Sequence, residues 1–263
     1  MESSNAIAPV LGNFRLEGRT ALVTGAGAGI GAAIASALAE AGAEVVMVSL
    51  SAAELDKVAG GIAAMGGRVQ ARQCDVTDID AVRKLIADIP ELDIVVNNAG
   101  TNIPEPFTEV TEEHLDFMSN LNVRATFLVS QTSVKKMLTT GDRSRRGGVV
   151  INITSQMGHI GSPNRTVYCM NKHAIEGLTK ALAVELAETG IRVNSVAPTF
   201  VDTPLVRKIV DTPEKRDYLV SRIPMGRMAQ VQDIAAAVLY LASPAAAMVT
   251  GTSLLVDGGW TAQ

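Results

Sequence analysis

The chain has 263 residues, 47% of them hydrophobic and only 3% aromatic, with a formal net charge of −4. That length and apolar fraction suit the core of one α/β domain, and the weak acidic balance speaks against a nucleic-acid partner, whose phosphates demand clustered Lys and Arg. The short basic cluster Arg143, Arg145 and Arg146 reads as a solvated loop, and Cys74 and Cys169 form neither a disulfide framework nor a ligand pattern.

Residues 1–15 read as an N-terminal tail. They carry no basic start or long apolar core, and no later apolar run approaches the roughly 20 residues that cross a bilayer. Neither a signal peptide nor a membrane segment is expected, and with its two unpaired cysteines the chain is expected in the reducing cytoplasm. Runs rich in Val, Ile and Leu at 20–24, 44–49, 69–74, 93–97, 149–153, 192–197 and 253–256 predict strands. Between them, stretches with helical spacing at 30–41, 52–65, 79–89, 112–138, 167–188 and 231–241 predict helices. This alternation predicts one doubly wound, Rossmann-type α/β domain over 1–263, with a central parallel sheet of about seven strands. No repeat or low-complexity linker divides it. The stretch from 198 to about 230 holds several prolines and is expected to be irregular, with 203–218 as a lid or binding loop.

Directly after the first strand comes Gly25-Ala26-Gly27-Ala28-Gly29-Ile30-Gly31, followed at once by an Ala-rich helix. Glycines there allow a tight turn and let a pyrophosphate approach main-chain N–H groups at a helix N-terminus, where the macrodipole favours anions. The spacing Gly25-x-x-x-Gly29-x-Gly31 differs from the common Gly-x-Gly-x-x-Gly fingerprint.

This spacing resembles that of the short-chain dehydrogenase/reductase family, and the likeness runs from Leu16 to Trp260. Asn97-Asn98-Ala99-Gly100 looks like the family's second signature, and Ser155 with Tyr168-Cys169-Met170-Asn171-Lys172 has its catalytic spacing. Asn122 falls where the family places a fourth catalytic residue. Pro198-Thr199 departs from the family's usual Pro-Gly beside the nicotinamide.

The resemblance implies an oxidoreductase that moves a hydride between a nicotinamide cofactor and an alcohol or ketone. Tyr168 and Lys172, four apart, share one helix face. A free tyrosine has a pKa near 10, and bringing it toward neutrality takes about 4 kcal/mol of differential stabilisation, which a nearby ammonium helps to supply. The family's roles place Ser155 on the substrate oxygen, Lys172 on the nicotinamide ribose, and Asn122 on a water-mediated proton path. Taken singly, each residue has an ordinary structural use: a solvated helix face for Tyr and Lys, a cap for Ser, an exposed position for Asn.

For the cofactor, the resemblance points to Gly25, Gly27, Gly29, Ile30 and Gly31 at the pyrophosphate, Ser49 and Leu50 at the adenosine ribose, and Asp75 and Val76 at the adenine. Asn98, Ala99, Gly100, Pro198, Val201 and Thr203 would complete the site with Tyr168 and Lys172. Ser49-Leu50-Ser51 offers neither the acid that marks NAD nor the Arg that marks NADP. A neutral site favours NAD(H), with NADP(H) or dual use open.

Gln156, His159, Asn164 and Arg165 lie in sequence where the family's substrate pocket forms. They are either solvated loop residues or a polar lining that suits a polyol, sugar or hydroxy-ketone. Two alternatives are a non-catalytic dinucleotide-binding regulatory protein and a 3-oxoacyl-thioester reductase; related epimerases and dehydratases are longer chains. His114, His159 and His173 are dispersed, so no metal is expected. The 167–188 helix carries Ile175, Leu178, Leu182, Val184 and Leu186 on more than one face. That excess predicts a homo-oligomer, a tetramer or else a dimer through this helix, as the resemblance implies.

Overall fold

The computed structural model describes residues 10–139 and 147–263. The Arg143, Arg145 and Arg146 cluster and most of the expected tail lie outside the described residues. Strands β1 (Thr20–Thr24), β2 (Glu44–Ser49), β3 (Arg68–Gln73), β4 (Ile94–Asn97), β5 (Gly148–Ile153), β6 (Ile191–Pro198) and β7 (Ser253–Val256) form one parallel sheet. Their order is β3-β2-β1-β4-β5-β6-β7. The helices are α1 (Gly29–Glu40), α2 (Ala52–Ala64), α3 (Ile79–Ala87), α4 (Glu112–Ser119), α5 (Thr126–Thr139), α6 (Thr166–Leu186), α7 (Pro204–Ile209), α8 (Pro213–Ser221) and α9 (Val231–Ala242). No helix among the described residues is long and apolar enough to cross a membrane.

Because strand side chains alternate between faces, each inner strand feeds two cores. Ala21 and Val23 of β1 and Ile94 and Val96 of β4 pack with Ile34 and Leu38 of α1 and Ile234 and Val238 of α9. Leu22 and Val95 face the other way, toward Val82 and Ile86 of α3, Val129 and Met137 of α5, and Leu186 of α6. Burial on both faces explains why these strands read as unbroken apolar runs. Strand β3 lies at the edge, and its Arg68 and Arg72 are exposed, a charged edge that discourages pairing with another chain.

Two expectations need correction. The predicted 112–138 helix is broken by a π-helical turn at Asn120–Ala125, between α4 and α5. A π turn holds one residue more than an α turn and re-aims its side chains. Here Asn122 points inward to the loop after β4, where it bonds Thr101. The stretch expected to be irregular from 198 to 230 contains α7 and α8. Each starts with proline in its first turn, behind a capping threonine: Thr203 accepts from the Val206 N–H and Thr212 from the Lys215 N–H. Proline there loses no helical hydrogen bond, and its fixed φ favours the helix.

The chain leaves β1 for β2 and β3 on one side, then crosses to β4 on the other. At this reversal the loops after β1 and β4 part at the carboxyl ends of the strands, which is where open α/β sheets bind ligands.

Candidate active site

The glycine turn after β1 is fixed by sterics. Gly25 and Gly29 have φ of +65° and +54°, in the left-handed region, and a Cβ on Gly31 would stand 2.2 Å from the Gly25 carbonyl oxygen. Only glycine allows that approach. Asn98 holds the turn from the side: its Nδ2 donates to the carbonyls of Thr24 and Gly25, at 3.0 and 3.1 Å. The Thr24 hydroxyl accepts from the N–H groups of Asn98 and Ala99, so the two signature loops are tied to each other. Helix α1 opens at Gly29 with no side chain capping its first turn, leaving N–H groups for an anion.

A cavity of about 420 Å³ runs from this turn across the strand ends. Gly25, Gly29, Ile30, Gly31, Ser49, Asn98, Ala99, Gly100, Ser155, Gln156, Tyr168, Lys172, Pro198, Val201 and Thr203 all line it. The bare glycine cradle at a helix N-terminus fits a dinucleotide pyrophosphate. The remaining wall is long enough to carry Ser49 at one end and the Tyr168 and Lys172 pair at the other.

Several expected residues stand off the cavity wall. Gly27 is buried against Ser49 and Glu54. Leu50 is 65% exposed, and Val76 is buried in the core below α3. Asp75 is engaged with Thr77, accepting from its N–H and hydroxyl at 2.8 and 2.7 Å. His159 turns toward the sheet, its Nε2 2.8 Å from the Ser253 hydroxyl and 3.4 Å from the Glu176 carboxylate. Asn164 is exposed with φ +58°, and its carbonyl accepts from the Glu105 N–H. Asn122 sits behind Gly100, where a Cβ would stand 2.9 Å from its Oδ1. Sequence reading missed Glu54 and Asn102, which also line the cavity, and noted Thr199, a third lining residue, only as a departure from the family's Pro-Gly. The only signal for Glu54 is its place one helical turn after the Ser51 cap, over the glycine loop.

Lys172 is buried, and its Nζ donates to the Ile153 carbonyl at 2.8 Å. Burial holds its pKa down to about 8, with the nearby Glu176 carboxylate pulling the other way. Glu176, one helical turn on, is itself buried and accepts from the hydroxyls of Thr154, Ser195 and Ser253, so its charge is well solvated by protein groups. The Tyr168 phenol is pushed up to about 12 by desolvation, against a hydrogen bond with Ser155 and the positive charge of Arg165. In the protein without its cofactor, Lys172 does not bring the phenol toward neutrality. Its Nζ lies over the ring face, 5.4 Å from the centroid, and is turned to the Ile153 carbonyl.

Gln156 is buried on the wall beside Ser155, and neither atom of its amide has a hydrogen-bond partner. The Thr199 hydroxyl, the Asn102 Oδ1 and the Arg165 Nε on the same wall are also buried without one. Buried polar groups are rarely left so, and these four side chains all belong to the wall of one cavity. Among the described residues no three His, Cys, Asp or Glu side chains are grouped to hold a metal.

Residues 25–261 match the family described as enoyl-(acyl carrier protein) reductase. The chain is 40% identical to L-xylulose reductase of Bos taurus over 250 residues, covering 95% of this chain and 99% of that one. It is 36% identical to the 3-oxoacyl-[acyl-carrier-protein] reductase of Thermotoga maritima over 250 residues, covering 93% and 98%. The structure of a gluconate 5-dehydrogenase from Burkholderia cenocepacia, in complex with NADP and tartrate, superimposes with a TM-score of 0.90 at 34% identity, covering 97% and 100%. With its glycine turn, its parallel sheet and its Ser155, Tyr168 and Lys172 on one wall, the chain belongs to the short-chain dehydrogenase/reductase family.

Proposed function

We propose that this enzyme interconverts a secondary alcohol and a ketone on a small polyhydroxylated substrate. The observation that carries this reading is the Gln156 amide, buried beside Ser155 with all its hydrogen-bonding capacity unused. An acyl thioester chain would leave such a group unmatched, at a cost of about 1–3 kcal/mol, whereas neighbouring hydroxyls satisfy it. L-xylulose reductase and gluconate 5-dehydrogenase, by their names, act on compounds of that kind.

The cofactor supplies or accepts the hydride at its nicotinamide ring. Gly25, Gly29, Ile30 and Gly31 would hold its pyrophosphate, Ser49 its adenosine ribose, and Lys172 with Tyr168 its nicotinamide ribose. Ser155 orients the substrate oxygen, and Tyr168 takes the hydroxyl proton in the oxidative direction and returns it in the reductive one. Lys172, kept cationic by Glu176, holds its proton beside the phenol ring. Asn122 acts from behind Gly100, by fixing the loop that forms the wall.

Between NAD and NADP, we favour NAD. Glu54 and Ser49 meet over Gly27 at the adenosine end, where no Lys or Arg lines the cavity. A carboxylate there repels a 2′-phosphate, and no guanidinium is placed to pair with one. The protein is also proposed to assemble with itself through α6, though not through all the residues first expected. Ile175 and Leu186 are buried in the protomer, and the open face is Met170, Ala174, Gly177, Ala181 and Val184. Residues spaced by three and four lie along one helix face, and this one is small or apolar throughout. Light scattering at micromolar concentration tests this, with a monomeric mass counting against it.

The function is tested by following cofactor absorbance with polyols, ketoses and 3-oxoacyl thioesters in parallel. Turnover confined to the thioesters would overturn it.

A further inference from the structure

Arg165 stands at the N-terminal boundary of α6, three residues before Tyr168, and lines the cavity with Ser155 and Gln156. One Nη donates to the adjacent Asn164 carbonyl at 3.1 Å, and the Nε is buried with no partner. Among the described residues no carboxylate pairs with it. The ion pairs of other arginines lie elsewhere, as in Arg19 with Asp93 and Arg207 with Asp202. Burial holds the guanidinium below its ordinary pKa, a cost that an anion in the cavity would offset.

The charges along the cavity are sorted by end. Glu54, the only carboxylate among its lining residues, lies beside Ser49, away from the catalytic groups. Arg165 and Lys172, its only cations, lie with Tyr168. Lys172 donates one N–H to Ile153 and its other donors go to the nicotinamide ribose in the reading above, so Arg165 is the cation left for the substrate.

We infer that the substrate is a small hydroxycarboxylate, of the sugar-acid type, whose carboxylate docks on Arg165 while its hydroxyls meet Gln156 and Thr199. This rests on the alcohol–ketone reading of the same cavity. A planar guanidinium edge matches a carboxylate in charge and shape. A phosphate dianion would need a second free cation, which the wall lacks.

The test uses matched pairs: threonate with threitol, xylonate with xylitol, and gluconate with glucitol. Each pair shares its hydroxyls and differs by a carboxylate for a CH₂OH. The wild-type enzyme, with NAD and with NADP, is expected to prefer at least one acid over its alditol by about a hundredfold in kcat/KM, the scale of a charge-assisted contact. In Arg165→Gln that ratio is expected to fall to about threefold or less, with partial recovery in Arg165→Lys. Calorimetric titration of tartrate, expected to bind the wild type and to lose about the same factor in Arg165→Gln, gives a readout independent of turnover. Turnover of alditols or sugar phosphates as good as or better than that of the acids, or an unchanged ratio in Arg165→Gln, overturns the carboxylate assignment and leaves the alcohol–ketone reading standing. No turnover of any acid, alditol or ketose, with either cofactor, overturns both.

Discussion

Asn122 grips both polar groups of one backbone residue: its Oδ1 accepts from the Thr101 N–H at 2.8 Å, and its Nδ2 donates to the Thr101 carbonyl at 2.9 Å. The residue thereby fixes the loop that carries Gly100, Thr101 and Asn102 along the cavity. Asn122→Ala leaves two partly buried backbone groups without partners. The expected loss is about 2–4 kcal/mol of stability, together with weaker cofactor binding. Denaturant unfolding and a fluorescence titration with NADH measure the two effects; an unchanged cofactor affinity would separate Asn122 from the wall.

Tyr168→Phe removes the hydroxyl and keeps the ring that Lys172 overlies. Turnover is expected to fall by at least about a thousandfold, with cofactor affinity changed by no more than about threefold. Retention of more than a few per cent of activity would assign the proton transfer to another group.

Lys172 gives a signature in stability against pH. Its ordinary pKa of 10.5 is brought down to about 8 by burial. Between these values the unfolded chain holds a proton that the folded chain has released, so the free energy of unfolding rises with pH through that window. Below it, the folded protein carries the full cost of a buried ammonium. Lys172→Met lacks this dependence, so its melting temperature relative to wild type is expected to be most favourable at pH 7 and to decline toward pH 10. A constant difference across the series would mean that the amine is not desolvated.

The adenosine end is open to redesign. Glu54→Gln removes the repelling charge and is expected to raise the NADP-to-NAD ratio of kcat/KM by about three- to tenfold, the smaller figure fitting an exposed carboxylate. Leu50→Arg adds a planar cation and is expected to raise it about tenfold, while Ser49→Asp lowers it. If none of the three moves the ratio beyond about twofold, the ribose lies elsewhere on the wall.

The sheet was legible because burial on both faces of β1, β2 and β4–β6 demands apolar residues at almost every position. The glycine turn and the Ser155, Tyr168 and Lys172 set were legible because their spacing is local. Periodicity could not show the π turn, since one extra residue leaves apolar positions on both sides in place. The prolines that open α7 and α8 read as breakers, although Thr203-Pro204 and Thr212-Pro213 are helix-start signals when read with their caps. Glu54 and Asn102 meet the cavity from two separate segments, a convergence that only the fold supplies. For His159 and Asn164, nearness to Tyr168 in sequence was a poor guide, because the loop directs His159 to Glu176 and Asn164 outward.

The π turn also gives the enzyme a trade between endurance and activity. Deleting one residue within Asn120–Ala125 would let α4 and α5 merge into a single regular helix, with an unbroken α-type hydrogen-bond ladder in place of the wider turn. Asn122 would then rotate away from Thr101 and release the catalytic wall. The shorter chain is expected to be the sturdier helix and the poorer enzyme, a trade that thermal unfolding and turnover of the deletion variant would measure.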